Sequence, residues 1–364
     1  MKLETLQECR TAIDRLDDKL LEILNARMKV VHRVGEIKNS AHEAIYRPER
    51  EKEIIDRLVA LNATQESLLN RAAIEAIYLE IFAVARNLER AEKVSFLGPL
   101  GSFTHQAAES RFGAMSEYVA KSSIRAVFQS LETKRAKYGV VPVENSTDGV
   151  VGETLDLLAK HDVKIVAEMN LSIHLAFASL AENTREITKV YSKDKGFGQC
   201  REFLVEHGLN EVEHIPVEST AKAAMLAAAD PHAAAICSHI AAKLYGVPTL
   251  YENIEDSSQN HTRFLILSDF TNAPSPEAKT SILVKLYDGD KPGALVHFLQ
   301  DLYEAKINLL KIESRPSKDD SGYKYWFFID FEGHFEDAHI APVMRRHRDE
   351  IKWLGSYVKG FDAI

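Results

Sequence analysis

Cysteine is scarce. Among 364 residues there are only Cys9, Cys200 and Cys237. An odd number with no metal or redox spacing excludes a disulfide framework and suits a reducing compartment. No apolar run is long enough to span a bilayer, so no membrane segment is expected. The opening MKLETLQECR is polar and lacks a signal-peptide core, which makes the cytoplasm the expected location. Positive charge does not dominate either: the net charge of −9 argues against nucleic acid as a partner. The 14 histidines show no H-x-x-x-H or other ligand spacing, and no metal is expected. A dinucleotide fingerprint is also missing. Gly98-Pro99-Leu100-Gly101 and Gly196-Phe197-Gly198 both fail the G-x-G-x-x-G pattern.

What is present divides into three segments. The length suggests two or three domains, and 45% apolar residues can fill large cores. Residues 1–92 read as all-helical, with Pro48 their one proline. Pro48 suits the first turn of a second helix, where a missing N–H costs nothing. A third helix is predicted from about Leu68 to Ala91, with Ile74, Ile77, Ile81, Val84 and Leu88 as its core face. Residues 93–271 alternate short apolar strands (94–97, 138–143, 164–167, 234–237, 263–267) with helices such as 220–229, the pattern of an α/β domain. Asn272-Ala273-Pro274-Ser275-Pro276-Glu277 reads as the clearest linker. Residues 278–362 then run strand 280–287, helix 292–305, strands near 307–315 and 323–331, helix 336–350 and strand 352–359. That βαββαβ order predicts a ferredoxin-like α+β domain.

The first helix carries the most informative irregularity. Leu6, Ile13, Leu20 and Val34 recur every seven residues, as do Cys9, Leu16, Ile23, Val30 and Ile37. Arg27 falls on the first row, inside the apolar seam. A cation there needs an anionic partner. It is either a structural ion pair or part of a pocket for an anion. Lys38, eleven residues on, lies within about 20° of Arg27 around the helix. Arg10 points about 100° away and reaches such a pocket only from a second copy. The helix covers about 33 residues, roughly 50 Å, too long for the two shorter helices to bury. An intertwined dimer follows as the expectation. Arg50 and Glu51 open helix two, and Glu89 continues the stripe of Tyr78, Phe82 and Ala85.

Arg10, Leu16-Asp17-Asp18-Lys19-Leu20-Leu21, Arg27, Val34-Gly35-Glu36-Ile37-Lys38 and Arg50-Glu51 together resemble the all-helical chorismate mutase family. The resemblance implies that chorismate rearranges to prephenate here. It implies that Arg10 of one chain and Arg27 of the other hold the two carboxylates. Lys38 then donates to the ether oxygen, Glu51 accepts from the ring hydroxyl, and Arg50 supports the pocket. Such a pericyclic shift needs positioning and electrostatic preorganisation rather than a nucleophile. Two positions depart from some family members. Glu89 stands where a glutamine often donates to the ether oxygen, so it must carry a proton to help, and mutase activity is expected to decline as pH rises. Arg47 stands where some members have an acid, which throws the hydroxyl contact onto Glu51.

In the middle segment, Gly98-Pro99-Leu100-Gly101-Ser102-Phe103-Thr104 sits between a strand and a helix, a place that can present N–H groups to an anion or be a plain tight turn. Val141-Pro142-Val143-Glu144-Asn145-Ser146 ends a strand in polar groups, where open α/β sheets bind ligands. With Gln199-Cys200, Glu218-Ser219-Thr220 and Asn260-His261-Thr262-Arg263-Phe264, these motifs resemble the prephenate dehydratase family. Two α/β lobes with a cleft between them are implied, as is conversion of prephenate to phenylpyruvate by loss of water and carbon dioxide. Thr262 is the expected proton donor to the leaving hydroxyl. Asn145, Gln199 and Ser102 are expected to hold substrate. Arg263 either orients a carboxylate or Glu144, or pairs structurally. Glu144 is either a site acid or a latch between lobes. His105 and His261 are expected to help local hydrogen bonding.

In the last segment, Asp290-Lys291-Pro292-Gly293-Ala294-Leu295-Val296 places a Gly-Ala pair at a strand-to-helix turn, followed by Asn308-Leu309 and Glu313-Ser314-Arg315-Pro316. By pattern alone this is a small packing domain. Its G-A-L-V and E-S-R-P motifs resemble the ACT regulatory domain of prephenate dehydratases. That implies L-phenylalanine as feedback inhibitor, held by Gly293, Ala294, Leu295, Val296, Asn308, Leu309, Glu313 and Ser314. The whole chain thus resembles the bifunctional chorismate mutase–prephenate dehydratase family. The domain boundaries expected are 1–92, 93–271 and 278–362, with no cofactor, as a homodimer whose further pairing into a tetramer is left open. A mutase fused to prephenate dehydrogenase lacks support without a nicotinamide fingerprint. A non-catalytic two-lobed sensor is opposed by Thr262 and by the charged interior of helices one and three.

Overall fold

The computed structural model describes residues 5–41, 46–64, 67–89, 92–286, 292–316 and 325–362. Asp290 and Lys291, named before the Gly293 turn, lie outside them. The helical unit has α1 (Leu6–Ala41), α2 (Pro48–Asn62) and α3 (Arg71–Glu89). Proline at the start of α2 falls where its fixed φ suits the first turn. Leu6, Ile13, Leu16, Leu20, Ile23, Val30 and Ile37 stay exposed along α1, so the apolar seam is uncovered within one chain. The face predicted for α3 is corrected. Ile74 is buried as predicted, but Ile77 and Leu88 are exposed, and Phe82, Ala83 and Ala85 are buried in their place. Helix α1 crosses α3 on the Phe82–Glu89 side, close enough that a Cβ on Gly35 would lie 3.2 Å from Glu89 Cγ.

The α/β unit has two lobes, as expected. Lobe one contains β1 (Lys93–Leu97), α4 (Phe103–Phe112), β2 (Glu117–Lys121), α5 (Ile124–Glu132), β3 (Tyr138–Asn145), β4 (Gly149–Val150), α6 (Gly152–Lys160) and β5 (Lys164–Ser172). The chain then builds lobe two from β6 (Ala176–Ser179), β7 (Lys189–Ser192), α7 (Asp194–Gln199), α8 (Arg201–Glu206), β8 (Glu213–Pro216), α9 (Thr220–Ala227), β9 (Ala233–Cys237), α10 (His239–Tyr245) and β10 (Thr249–Tyr251). It returns through β11 (His261–Ser268), which inserts antiparallel between β3 and β5. Lobe two has the strand order β10-β6-β9-β7-β8. Because the chain crosses between lobes twice, the crossing segments line the cleft.

The C-terminal unit has β12 (Ala278–Val284), α11 (Ala294–Glu304), β13 (Leu309–Pro316), β14 (Tyr325–Glu332), α12 (Ala341–Arg346) and β15 (Ile351–Val358). Its antiparallel order β13-β14-β12-β15 is the ferredoxin-like arrangement. Helix α12 is shorter than predicted, for it starts only where Pro342 can occupy a first-turn position. One face of this sheet packs on its helices. From the other face Leu283, Phe328, Leu354 and Tyr357 enter the core of lobe one, beside Leu157, Leu158 and Leu265. A Cβ on Gly355 would lie 2.1 Å from Ile165 O, so glycine is what lets β15 cross β5. The chain then adds a strand absent from the sequence reading, β16 (Phe361–Asp362), parallel to β5, giving lobe one the order β16-β5-β11-β3-β1-β2. The segment read as a linker is no free tether. Asn272 is buried and donates to Val166 O (2.7 Å) and Ser356 O (3.0 Å).

Candidate active sites

A pocket of about 320 Å³ opens among the three N-terminal helices. Helix α1 contributes Arg27, Val31, Val34 and Lys38 at helical spacing, so one stripe supplies two cations and the apolar wall between them. From α3 come Phe82, Ala85, Arg86 and Glu89, and the start of α2 supplies Arg47, Arg50, Glu51 and Ile54. Five cations thus face two carboxylates, a balance suited to a small dianion. The Arg27 guanidinium lies 5.9 Å from the Phe82 ring centroid. Its Nη1 is buried with no hydrogen-bond partner among the described residues. Such an unmet donor costs about 1–3 kcal/mol. Lys38 Nζ donates to Glu89 Oε2 at 3.1 Å.

Glu51 is buried and bridges two arginines, Arg86 Nη1 and, at 3.0 Å, Arg111 Nη2 of α4. Arg50 borders the pocket while its side chain is largely exposed and pairs with Glu53 at 2.9 Å. Arg10 is exposed and is not among the residues lining the pocket, in keeping with its orientation on α1. Sequence reasoning missed Arg86. The signal was available, since Arg86 is a second cation set into the apolar last turns of α3, as Arg27 is into α1. Arg111 carried no such signal, because its link to Glu51 exists only across the domain boundary.

The second pocket, about 560 Å³, lies in the cleft between the lobes. Ser146 and Thr147 face it from the β3–β4 turn, Gly198 and Gln199 from the end of α7, and residues 255–257, 259 and 260 from the returning segment. Neither Asn145 nor Thr262 lines the pocket itself; Asn145 ties together residues that do. Its Nδ2 donates to Thr262 Oγ1 (2.8 Å) and Asn260 Oδ1 (2.9 Å), while its Oδ1 accepts from the Thr147 and Asp148 backbone N–H groups, both at 2.9 Å. Thr262 is buried opposite Asn145 in the β3–β11 register. Across the cleft mouth, Lys195 of α7 pairs with Asp148 at 2.5 Å. Glu255 is held by the Leu175 N–H (2.9 Å) and His174 Nδ1 (2.6 Å). Asp256 accepts from the Arg201 and Glu202 N–H groups at the start of α8. Ser172 Oγ lies 3.1 Å from His261 Nδ1.

Ser102, Glu144 and Arg263 are not among the residues lining this pocket. The Ser102 hydroxyl caps α4, accepting from the His105 N–H (3.3 Å) and donating to Leu97 O (3.2 Å). Glu144 and Arg263 oppose each other in the β3–β11 register and lie one residue from Asn145 and Thr262. Side chains alternate along a strand, so Glu144 and Arg263 point to the face away from Asn145 and Thr262. There Glu144 pairs with Lys311 of β13 at 2.5 Å, latching the C-terminal unit rather than the two lobes. Arg263 Nε donates to Glu168 Oε2 (2.8 Å), and its Nη2 to Asp330 Oδ2 (2.8 Å) and Tyr357 Oη (3.2 Å). Burial opposes the Arg263 charge, yet Tyr357, Asp330 and Glu168 hold it more firmly protonated than usual. Lys279 joins the cluster at 2.9 Å from Glu168 and 3.3 Å from Asp330.

His105 accepts from the Gly101 N–H through Nδ1 (3.2 Å) and stacks on Phe96, and burial lowers its pKa, so it serves the fold as a neutral ring. Burial pushes the Cys200 and Cys237 thiols up to about 12, which makes them poor nucleophiles.

The residues expected to bind phenylalanine divide. Gly293 precedes α11 with φ +92°, and Ala294, Leu295 and Val296 form its first turn. Asn308 donates to Glu332 Oε2 at 3.0 Å, just before Leu309 starts β13. Glu313 and Ser314 are neighbours on β13 and cannot share a face. Glu313 opposes Phe328 and turns with Lys311 toward the α/β unit, and Ser314 is exposed on the helix side. Glu313 is thereby separated from the rest of the set. No helix among the described residues is long and apolar enough to cross a membrane.

Comparison with known proteins finds three family models along the chain. The chorismate mutase type II model matches residues 9–90, the prephenate dehydratase model residues 94–272 and the ACT domain model residues 280–349. A bifunctional chorismate mutase/prephenate dehydratase of Aquifex aeolicus is 43% identical over 361 residues, covering 98% of this chain and 99% of that one. A protein of the same name from Pseudomonas aeruginosa is 36% identical, covering 98% of each. Among solved structures, the prephenate dehydratase of Arthrobacter aurescens in complex with L-Phe superposes with a TM-score of 0.65 at 30% identity, over 73% of this chain and 90% of that one.

Proposed function

The chain belongs to the family of bifunctional chorismate mutase/prephenate dehydratases, and on that premise we propose that it converts chorismate to prephenate and prephenate to phenylpyruvate at two separate sites under control by L-phenylalanine. The observation that carries the first site is Arg27 Nη1, buried without a hydrogen-bond partner among the described residues, on one stripe with Lys38. A substrate carboxylate supplies the missing partner. Lys38 then leaves Glu89 for the ether oxygen, where negative charge grows as the C–O bond breaks. Glu51 accepts from the ring hydroxyl. Arg10 of a second copy takes the other carboxylate, and the exposed α1 seam is the surface on which that copy packs. Nothing here requires a nucleophile; the pocket holds the reacting ends together and stabilises charge.

At the second site Thr262 is the proton donor. A hydroxyl offers one proton and two lone pairs. Because Asn145 donates to Thr262 Oγ1, the threonine proton is directed elsewhere. In the reaction the bond from the ring to the carboxylate breaks, its electrons complete the aromatic ring, and the ring hydroxyl leaves with a proton. Carbon dioxide and water are the other products. Asn145 and Gln199 orient the substrate. Control by phenylalanine is supported by the ACT match, and by Arg263, which neighbours Thr262 and is tied to Asp330 and Tyr357 of the C-terminal unit. An effector has to bind two states unequally to act this way. The three free thiols suit a cytoplasmic setting.

The test is a coupled assay from chorismate, following prephenate and phenylpyruvate together, with and without phenylalanine. Both products are expected, the second suppressed by phenylalanine, with Gly293 and Ser314 variants losing that suppression. Untouched chorismate alongside consumption of added prephenate would reduce the helical unit to a dimeriser.

A further inference from the structure

Glu51 stands at the wall of the helical pocket, and what fixes it comes from another domain. Arg111 lies near the end of α4, the first helix of the α/β unit, and is buried. Its Nη2 is 3.0 Å from Glu51 Oε2, and its Nε donates to Tyr46 Oη at 2.5 Å. Tyr46, from the segment before α2, is fully buried in the lobe-one core, its ring 5.3 Å from Phe112 and 5.4 Å from Tyr138. Burial pushes its hydroxyl up to about 12, so it stays a neutral acceptor. On the other side of Glu51, Arg86 Nη2 donates to Phe112 O at 3.1 Å, and its guanidinium lies 5.6 Å from the Tyr46 ring centroid. Both cations that flank the Glu51 carboxylate are thus anchored in α4 or in the core beneath it.

We propose that Arg111 of the dehydratase unit is a positioning residue for the mutase site, holding Glu51 where it can accept the substrate hydroxyl. Oε2 is buried beside Arg111, which leaves Oε1, also met by Arg86, to accept from a ligand; a carboxylate has about four lone-pair sites, so one oxygen can serve both. Without Arg111, Glu51 keeps only Arg86 and is free to rotate toward it, out of reach of the hydroxyl. The mutase pocket is in this sense finished by its neighbouring domain. The inference rests on the reading of the helical pocket as the mutase site.

The test uses the full-length protein. Arg111→Met and Arg111→Lys are each made in the wild-type and Glu51→Gln backgrounds, and mutase and dehydratase activities are measured separately, from chorismate and from added prephenate. Arg111→Met is expected to lower mutase kcat/KM on the order of 10- to 100-fold, the scale of a misplaced contact. Arg111→Lys should recover part of that loss, and dehydratase turnover of added prephenate should persist, showing that α4 is folded. In the Glu51→Gln background Arg111→Met should cost little more, because both changes remove one interaction. Undiminished mutase activity in Arg111→Met, or a loss that multiplies with that of Glu51→Gln, overturns the proposal. Should Arg111→Met fail to fold, Arg111→Lys decides by the same comparison. Absence of chorismate turnover in the wild-type protein would instead overturn the pocket assignment.

Discussion

Replacing Arg27 by methionine separates a pocket from a structural ion pair. Arg27 Nη1 is buried without a hydrogen-bond partner among the described residues, a debit of about 1–3 kcal/mol. The contact with the Phe82 ring at 5.9 Å returns about 0.5–1 kcal/mol. Methionine has a similar reach, adapts to irregular apolar walls and packs well against an aromatic ring. Arg27→Met should therefore raise the stability of the ligand-free helical unit by about 0.5–2 kcal/mol. Amide hydrogen exchange along α3 reads this locally, which matters in a multidomain chain where one global transition is not defined. The same substitution removes one or two charge-assisted hydrogen bonds to a substrate carboxylate, about 1.5–3 kcal/mol each. At 1.36 kcal/mol per decade, mutase kcat/KM should fall by about one to four orders of magnitude. Faster exchange in α3, by the about 3–5 kcal/mol that a broken buried pair costs, would refute the reasoning and make Arg27 a structural residue.

Other consequences are as direct. Glu89→Gln should leave the mutase at least as active, because the amide can donate to the ether oxygen where a carboxylate repels the developing charge; a large loss of mutase kcat/KM in the variant would sink the idea. Thr262→Ala should abolish dehydration of prephenate and spare the mutase, whereas loss of both activities with the fold intact would contradict separate sites. In Gly355→Ala the new Cβ meets Ile165 O at 2.1 Å on a backbone with φ +152°, so β15 must lift from β5. A destabilisation of about 1–3 kcal/mol or more should follow, visible in urea unfolding and as proteolysis near 272–277; a wild-type unfolding curve would mean that this contact yields easily. Burial alone would raise the Asp330 carboxyl, but Arg263, Lys279 and Ser281 outweigh it and hold the pKa below the ordinary 3.8. Its stabilising contribution is complete above that value and lost as pH falls below it. Asp330→Asn should cost about 3 kcal/mol at neutral pH, with the gap to wild type closing below pH 3.8; a gap independent of pH would count against the ion cluster.

Much of this was readable from local pattern. The Arg27–Lys38 stripe follows from helical periodicity alone, because eleven residues are close to three turns, and the structure puts both in one pocket. The βαββαβ order of the last unit was legible because each element is bounded by its own turn residues. The joint at 272–277 misled, since proline and serine mark a turn without revealing that Asn272 is buried between β5 and β15.

The sequence by itself determined the three units, their order and the residue types each site has to work with, because periodicity and turn chemistry act over a few residues. Tertiary structure alone decided which neighbours in a motif share a face. The β3–β11 register sets Asn145 against Thr262 and turns Glu144 and Arg263 to the C-terminal unit, so one contiguous motif serves a cleft on one face and a domain contact on the other. It also decided that Arg111 meets Glu51 across 60 residues of chain, a pairing made by the packing of α4 against α3 and visible in neither segment alone.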